Sequence, residues 1–180
     1  QNYRRSGEHS TPEPIIILAE RLLKIQKEES VADVCSGNGD FLCHALGKHP
    51  NAHYSGYEIN MLSVAISKIR ADIQGYKLKI EPGDALLNLG QTRTEYDKIF
   101  CNYPFNMRTF GDMQIDNKYD HLAKNNRCDW LFNTLVCKHL AEKGKAVTVS
   151  TIGSLWNMMD RDARKYFIDN GLIESIIFLP

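Results

Sequence analysis

The chain has 180 residues, enough for one domain with a real core, and its 43% hydrophobic and 24% charged residues are ordinary for a globular protein. Lys+Arg and Asp+Glu stand at 22 each, so the net charge is zero and the chain is not basic enough to hold nucleic acid through phosphates alone; any such substrate would be gripped largely by another domain or subunit. No apolar run approaches the roughly 20 residues of a transmembrane helix, the polar stretch Gln1 to Ser10 is no signal peptide, and five cysteines without C-x-x-C spacing predict free thiols in a reducing, cytoplasmic compartment. The short apolar runs predict no membrane contact, and six histidines without H-x-x-H or H-E-x-x-H predict no metal site.

In chain order, residues 1–10 read as a flexible segment. Thr11 precedes Pro12, Glu13 and Pro14 and is positioned to cap a helix. Ile15, Leu18, Ala19 and Leu22 give that helix one apolar face, and it is predicted to fade near Gln26 to Glu29. Ser30 to Val34 reads as a first strand. It runs into Asp33-Val34-Cys35-Ser36-Gly37-Asn38-Gly39-Asp40 and then an apolar helix with Phe41, Leu42, Ala45 and Leu46. Strand, Gly-x-Gly turn and helix open a nucleotide-binding α/β unit. A second strand, Ala52 to Tyr57, ends in Glu58. Asn60 then caps a helix whose predicted face is Leu62, Ala65, Ile66, Ile69 and Ile73. A third strand, Lys77 to Ile80, ends in Glu81-Pro82-Gly83-Asp84, and a fourth, Tyr96 to Cys101, ends in Asn102-Tyr103-Pro104-Phe105. Asn106 to Asn126 lacks periodicity and reads as a long, functional loop. A helix follows through Cys128, Leu131, Phe132, Leu135, Val136 and Leu140, closed by Gly144. Then come a fifth strand, Lys145 to Ser150, a short helix capped by Asp160, and a last strand, Ile173 to Leu179. Repeated βα units predict an α/β domain with a mostly parallel sheet and helices on both faces.

The glycine turn is not G-x-G-x-x-G, because Leu42 holds the third glycine position. A pyrophosphate wants a helix N-terminus free of negative charge, whereas here Asp40 sits at that N-terminus and Asp33 just before the turn. Two carboxylates repel phosphates and accept a cationic, phosphate-free ligand such as S-adenosyl-L-methionine, which carries a sulfonium and an ammonium group. Glu58 stands where an acidic residue meets ribose hydroxyls in such folds, and Asp84 is placed to accept from an adenine amino group. The plainer alternatives are a helix cap for Asp40, strand ends for Asp33 and Glu58, and a Pro-Gly-Asp turn for Asp84. Asn102 and the Tyr103 carbonyl offer two acceptors and Phe105 a flat face, which suits a planar molecule bearing an NH2 group; the alternative is an Asn-x-Pro turn with a core aromatic.

Taken together, Thr11-Pro12, the turn Cys35-Ser36-Gly37-Asn38-Gly39-Asp40-Phe41-Leu42 and the motif Asn102-Tyr103-Pro104-Phe105 resemble the N6-adenine DNA methyltransferases, most of all the modification subunit of type I restriction systems. The stretches from Trp130 to Ser150 and from Arg164 to Pro180 are also similar, so the likeness runs from about Gly7 to Pro180. The resemblance implies a Rossmann-like S-adenosylmethionine-dependent methyltransferase fold over residues 11–180, as a catalytic domain cut from a longer protein. It implies cofactor contacts at Thr11, Pro12, Asp33, Cys35, Gly37, Gly39, Asp40, Phe41, Glu58, Asp84 and Asn102, and catalysis by Asn102, Tyr103, Pro104 and Phe105 on an adenine flipped out of DNA. It implies a separate specificity subunit and, beside it, a restriction subunit. Tyr103 departs from the family, whose motif is Asn-Pro-Pro-Phe, and Val34 replaces a proline in the cofactor turn. The family's final antiparallel strand, which lies between the fifth strand and the last one here, has no residues left to form it. Methylation of RNA adenine or of protein glutamine, and a non-catalytic cofactor-binding scaffold, are the competing readings; an NAD enzyme is disfavoured by Asp40.

Overall fold

A computed structural model describes residues 10–90, 92–105 and 128–180, with Cys128 described by its backbone only. Of the predicted flexible segment only Ser10 falls among these, and the predicted loop Asn106 to Asn126 lies outside them. Five strands form one parallel sheet: β1 (Ser30–Asp33), β2 (His53–Glu58), β3 (Lys79–Pro82), β4 (Tyr96–Asn102) and β5 (Leu140–Val149), in the order β3-β2-β1-β4-β5. The helices are α1 (Glu13–Leu23), α2 (Asp40–Lys48), α3 (Met61–Ile73), α4 (Ala85–Asn88), α5 (Cys128–His139) and α6 (Arg161–Asp169). Parallel strands joined by helices must cover both faces. One core contains Ile16 and Leu23 of α1, Phe41 and Leu42 of α2, Val31 and Phe100; the other contains Ala32, Ile99, Leu86 of α4 and Leu131 and Leu135 of α5. Sequence order reverses at β1, with β2 on one side and β4 on the other, and this reversal opens a crevice at the carboxyl ends of the two central strands. The Asp97 carboxylate fixes their alignment by accepting from the Ser30 backbone N–H (2.8 Å) and hydroxyl (2.7 Å).

Several predicted details differ. Thr11 makes no cap bond; Pro12 is the N-cap of α1, and the helix stops at Leu23, where Lys24 takes a left-handed turn. Its buried residues are Ile16, Ala19 and Leu23, one step round from the predicted face. On α3, Asn60 does cap, accepting from Leu62 N (2.8 Å), but the buried residues are Ser63, Val64, Ser67 and Ala71, while Leu62, Ile69 and Ile73 are exposed, Ile73 by 80%. The reason is steric. Gly39 has φ of +77°, and a β-carbon there would lie 2.9 Å from Ser67 Cβ, so α3 crosses the glycine turn on its small side chains. Helix α5 ends at His139, not at Gly144, and the fifth strand begins at Leu140; Tyr96 pairs with Leu140 but Lys98 with Lys145, so residues 141–144 bulge out of the ladder and absorb the turn predicted as a helix end. Residues 173–179 form no strand, because a strand needs a ladder neighbour: Ile173 packs half-buried against Trp130, Ala163 and Phe167, and the residues after it are exposed, with Glu174 paired to Lys145 of β5 at 2.9 Å.

Candidate active site

Both predicted motifs come to the crevice. Asp33 is in register with Phe100, and the Val34 N–H donates to the Phe100 carbonyl at 3.1 Å, so the glycine turn leaves β1 directly beside the Asn102 motif leaving β4. The turn is closed by its own backbone. Gly37 and Gly39 both adopt positive φ, Gly39 N–H donates to Ser36 O (2.8 Å), and Ser36 N–H donates to Tyr57 O at the end of β2 (2.9 Å).

Glu58 braces this turn from the neighbouring strand. One carboxylate oxygen accepts from Gly37 N–H at 2.8 Å and the other from Asn60 N–H at 2.7 Å. Each oxygen keeps a second lone-pair direction for a hydroxyl. Asp33 is buried, and burial, reinforced by the charges of Glu58 and Asp40, pushes its carboxyl up from 3.8 to about 8 despite the bond it accepts from Cys35 N–H at 3.2 Å. Asp40 is differently placed. Its carboxylate pairs with Arg70 of α3 and accepts from the Ser10 hydroxyl at 2.7 Å, while Arg70 also donates to Asn38 O at 2.9 Å. Arg70 therefore answers the charge of Asp40; with Asp33 neutral, the Glu58 carboxylate carries the negative charge of the crevice. Of the remaining predicted cofactor residues, Phe41 is 1% exposed with its ring stacked on Phe100 (4.3 Å), so its side chain is core. The Cys35 thiol meets the Cys101 thiol beneath the turn, and that contact with burial keeps it protonated. Asp84 accepts from Leu86 N–H at 2.9 Å as the N-cap of α4.

At the end of β4, Asn102 donates its amide Nδ2 to the Thr11 hydroxyl at 3.0 Å. Pro12 adjoins it, exposed, at the start of α1. With Nδ2 engaged, Oδ1 is the end of the amide left to accept. Tyr103 turns inward and is 1% exposed; Pro104 is exposed, and Phe105 is 44% exposed with its ring edge-to-face on Tyr103 (6.0 Å). Sequence reading missed Ser10, Arg70, Phe132 and Ser150. Ser10 adjoins Thr11, and Phe132 and Ser150 lie in the stretch that resembles the family, but nothing local to any of the four, Arg70 included, shows that its side chain reaches the site. Among the described residues no three His, Cys, Asp or Glu side chains gather as a metal site, and no helix is long and apolar enough to cross a membrane.

The crevice offers carboxyl and amide acceptors, and Glu58 already holds the Gly37 N–H that a phosphate would otherwise take. Fold and site together define a class: a Rossmann-like domain built as S-adenosylmethionine-dependent methyltransferases are. A protein from Listeria monocytogenes assigned to the class I S-adenosylmethionine-dependent methyltransferases superposes with a TM-score of 0.71 at 16% identity, over 87% of this chain and 49% of its own. An S-adenosylmethionine-dependent methyltransferase from Thiobacillus denitrificans, in complex with S-adenosyl-L-homocysteine, gives a TM-score of 0.54 at 18% identity, over 81% of this chain and 50% of its own. The chain itself belongs to the N-6 DNA Methylase family, whose model matches residues 1–180. In sequence it is 24% identical over 197 aligned positions to the type I restriction enzyme MjaVIII methylase subunit of Methanocaldococcus jannaschii. That match covers 98% of this chain and 34% of the relative, so the chain spans about a third of the relative's length.

Proposed function

We propose that residues 11–180 are the catalytic domain of a DNA adenine methyltransferase that transfers a methyl group from S-adenosyl-L-methionine to the adenine N6 amino group, within a restriction-modification system. The observation that carries this reading is the Asn102 amide, held through Nδ2 by Thr11 at 3.0 Å so that Oδ1 is turned to accept, beside an acidic glycine turn.

Asp33, Cys35, Gly37, Gly39 and Glu58 would hold the cofactor, with Asp84, Thr11, Pro12 and the backbone at Asp40 and Phe41 at its margins. The residues fit the group: a buried carboxyl held neutral up to about pH 8 is one that a neighbouring cation would ionise, and Glu58 has lone pairs to spare for ribose hydroxyls. When bound, the cofactor supplies an electrophilic methyl on a positively charged sulfur. The chain's own work is positioning. The adenine amino nitrogen is a poor nucleophile because its lone pair is delocalised into the ring. Asn102 Oδ1 and the Tyr103 carbonyl each accept one of its N–H groups, which draws the nitrogen toward tetrahedral geometry and frees the lone pair. Phe105, 44% exposed, stacks on the base, which must first leave the duplex at a cost of roughly a few kcal/mol. Zero net charge leaves DNA grip and site choice to other parts, namely a specificity subunit and, in a complete system, a restriction subunit; such an assembly works in the cytoplasm.

The test is expression of the full-length gene with its neighbouring genes in a host lacking adenine methylation, followed by mapping of N6-methyladenine. A methylated DNA motif that disappears with Asn102→Ala supports the reading. Unmethylated DNA with S-adenosylmethionine still bound overturns it in favour of an RNA or protein substrate, or of a non-catalytic scaffold.

A further inference from the structure

We infer that Tyr103 is a positioning residue whose buried side chain, tied to Ser150 at the end of β5, holds the Asn102 motif rigid in a chain that lacks the motif's first proline. This rests on the function proposed above and assigns a role that the family pattern has no residue for.

The strand alternation of β4 continues into the motif. Cys101 and Tyr103 point into the same core, while Asn102 between them faces the crevice. The side chain of a tyrosine at this position therefore enters the protein, and only its backbone carbonyl is left for the substrate. Its ring lies flat on Phe132 of α5, with centroids 5.3 Å apart and planes 4° apart, and its other neighbour is Phe105, edge-on at 87°. The phenol hydroxyl is hydrogen-bonded to the Ser150 hydroxyl, and the Asn133 side chain also reaches it. Burial raises the phenol's pKa, so it stays protonated and serves as a hydrogen-bonding anchor, not a base.

A proline restricts a turn through its own φ, whereas Tyr103 restricts it from outside, by docking against α5 and β5. The docked ring sets the height of the Tyr103 carbonyl, one of the two acceptors for the adenine amino group. It also supplies the surface against which Phe105 stands. The motif cannot swing outward without breaking the Ser150 bond and unstacking the ring from Phe132.

The experiment measures kcat, KM for S-adenosylmethionine and thermal midpoint for the full-length protein with its partner subunits, in four variants. Tyr103→Phe keeps the stacked ring and removes the hydroxyl; Ser150→Ala removes its partner; the third combines both; Ser150→Thr keeps a hydroxyl. The expected result is a kcat about tenfold lower for each of the first two. KM for the cofactor stays within about twofold, the double variant is no worse than either single one, and Ser150→Thr is near wild type. Wild-type kcat in Tyr103→Phe, a loss confined to KM, or single losses that multiply in the double variant would overturn the inference. If the wild type methylates no DNA, the function proposed above falls and this inference with it; if the wild type methylates and Tyr103→Phe matches it, only the inference falls.

Discussion

The glycine turn and the Asn102 motif lie side by side on β1 and β4, yet they are held by opposite means. The turn is acidic and is held through backbone groups: Glu58 on the Gly37 N–H, Tyr57 O on Ser36, and left-handed glycines that let α3 press close. The motif has no charged residue and is held through side chains: Thr11 on the Asn102 amide, and Phe132 and Ser150 on Tyr103. A site for a cationic ligand needs negative charge, and backbone bracing leaves the Glu58 carboxylate facing it, with Asp33 beside it to ionise against a bound cation. A site that must place two neutral acceptors on one nitrogen needs stiffness without charge, which packed aromatic rings and amide bonds provide. The two regions should therefore fail differently when perturbed.

The largest effect belongs to the motif. Asn102→Ala is expected to lower methyl transfer by on the order of a hundredfold or more while S-adenosylmethionine binding, read by calorimetry, stays within about twofold. Loss of both together would mean that the two regions are not separable.

Next comes the charge of the turn. Asp33 carries its proton in the folded protein up to about pH 8, whereas the unfolded chain gives it up near 3.8. The native state therefore binds more protons across that window, and this residue's contribution to stability falls as pH rises from about 4 to about 8. A cation binds the ionised form, so cofactor affinity should climb with pH by up to roughly tenfold per unit between about pH 5.5 and 7. Asp33→Asn should flatten that slope. A wild-type affinity independent of pH over this range would show that the carboxyl is not part of the cofactor's field.

Gly39→Ala tests backbone bracing directly. It forces an L-residue to φ of +77° and a β-carbon to 2.9 Å from Ser67 Cβ, and it should cost about 2 kcal/mol of stability in denaturant unfolding. Pairing it with Ser67→Gly should return part of that loss. No recovery would mean that strain at Gly39, and not contact with α3, dominates. The smallest effect is expected where sequence reading misjudged the burial: Ile73→Lys on α3, 80% exposed, should change the stability of this domain by less than about 0.5 kcal/mol. A loss of several kcal/mol would restore the originally predicted apolar face.

Much of the architecture was legible because it rests on local rules. Pro104 had to end β4, glycines marked the turn after β1, Asn60 capped α3, and the βα alternation implied parallel pairing. These signals are carried by residues within a turn or two of one another. The errors lie where a distant element decided the outcome. Nothing around residue 62 reveals that a glycine turn lies beneath α3 and admits only Ser63, Ser67 and Ala71 there. Nothing near Gly144 reveals that Tyr96 captures Leu140 and starts β5 early. Ile173 to Leu179 has strand composition, but a strand also needs an adjacent partner, and composition does not supply one.

The candidate site divides in the same way. By itself, the sequence determined which chemical groups are available: the carboxylates at Asp33 and Glu58, the amide at Asn102, the aromatic faces at Tyr103 and Phe105. Their order along the chain was enough to suggest the family. Only the tertiary structure decided which way each group points and what answers it. It matched Asp40 with Arg70, left Asp33 buried and protonated, turned the Asn102 oxygen outward through Thr11, and drew Tyr103 inward onto Phe132. The physical reason is that residue identity sets the donors, acceptors and charges a position carries. Their effective strength depends on burial and on partners contributed by segments many residues away, and these exist only once the sheet has assembled.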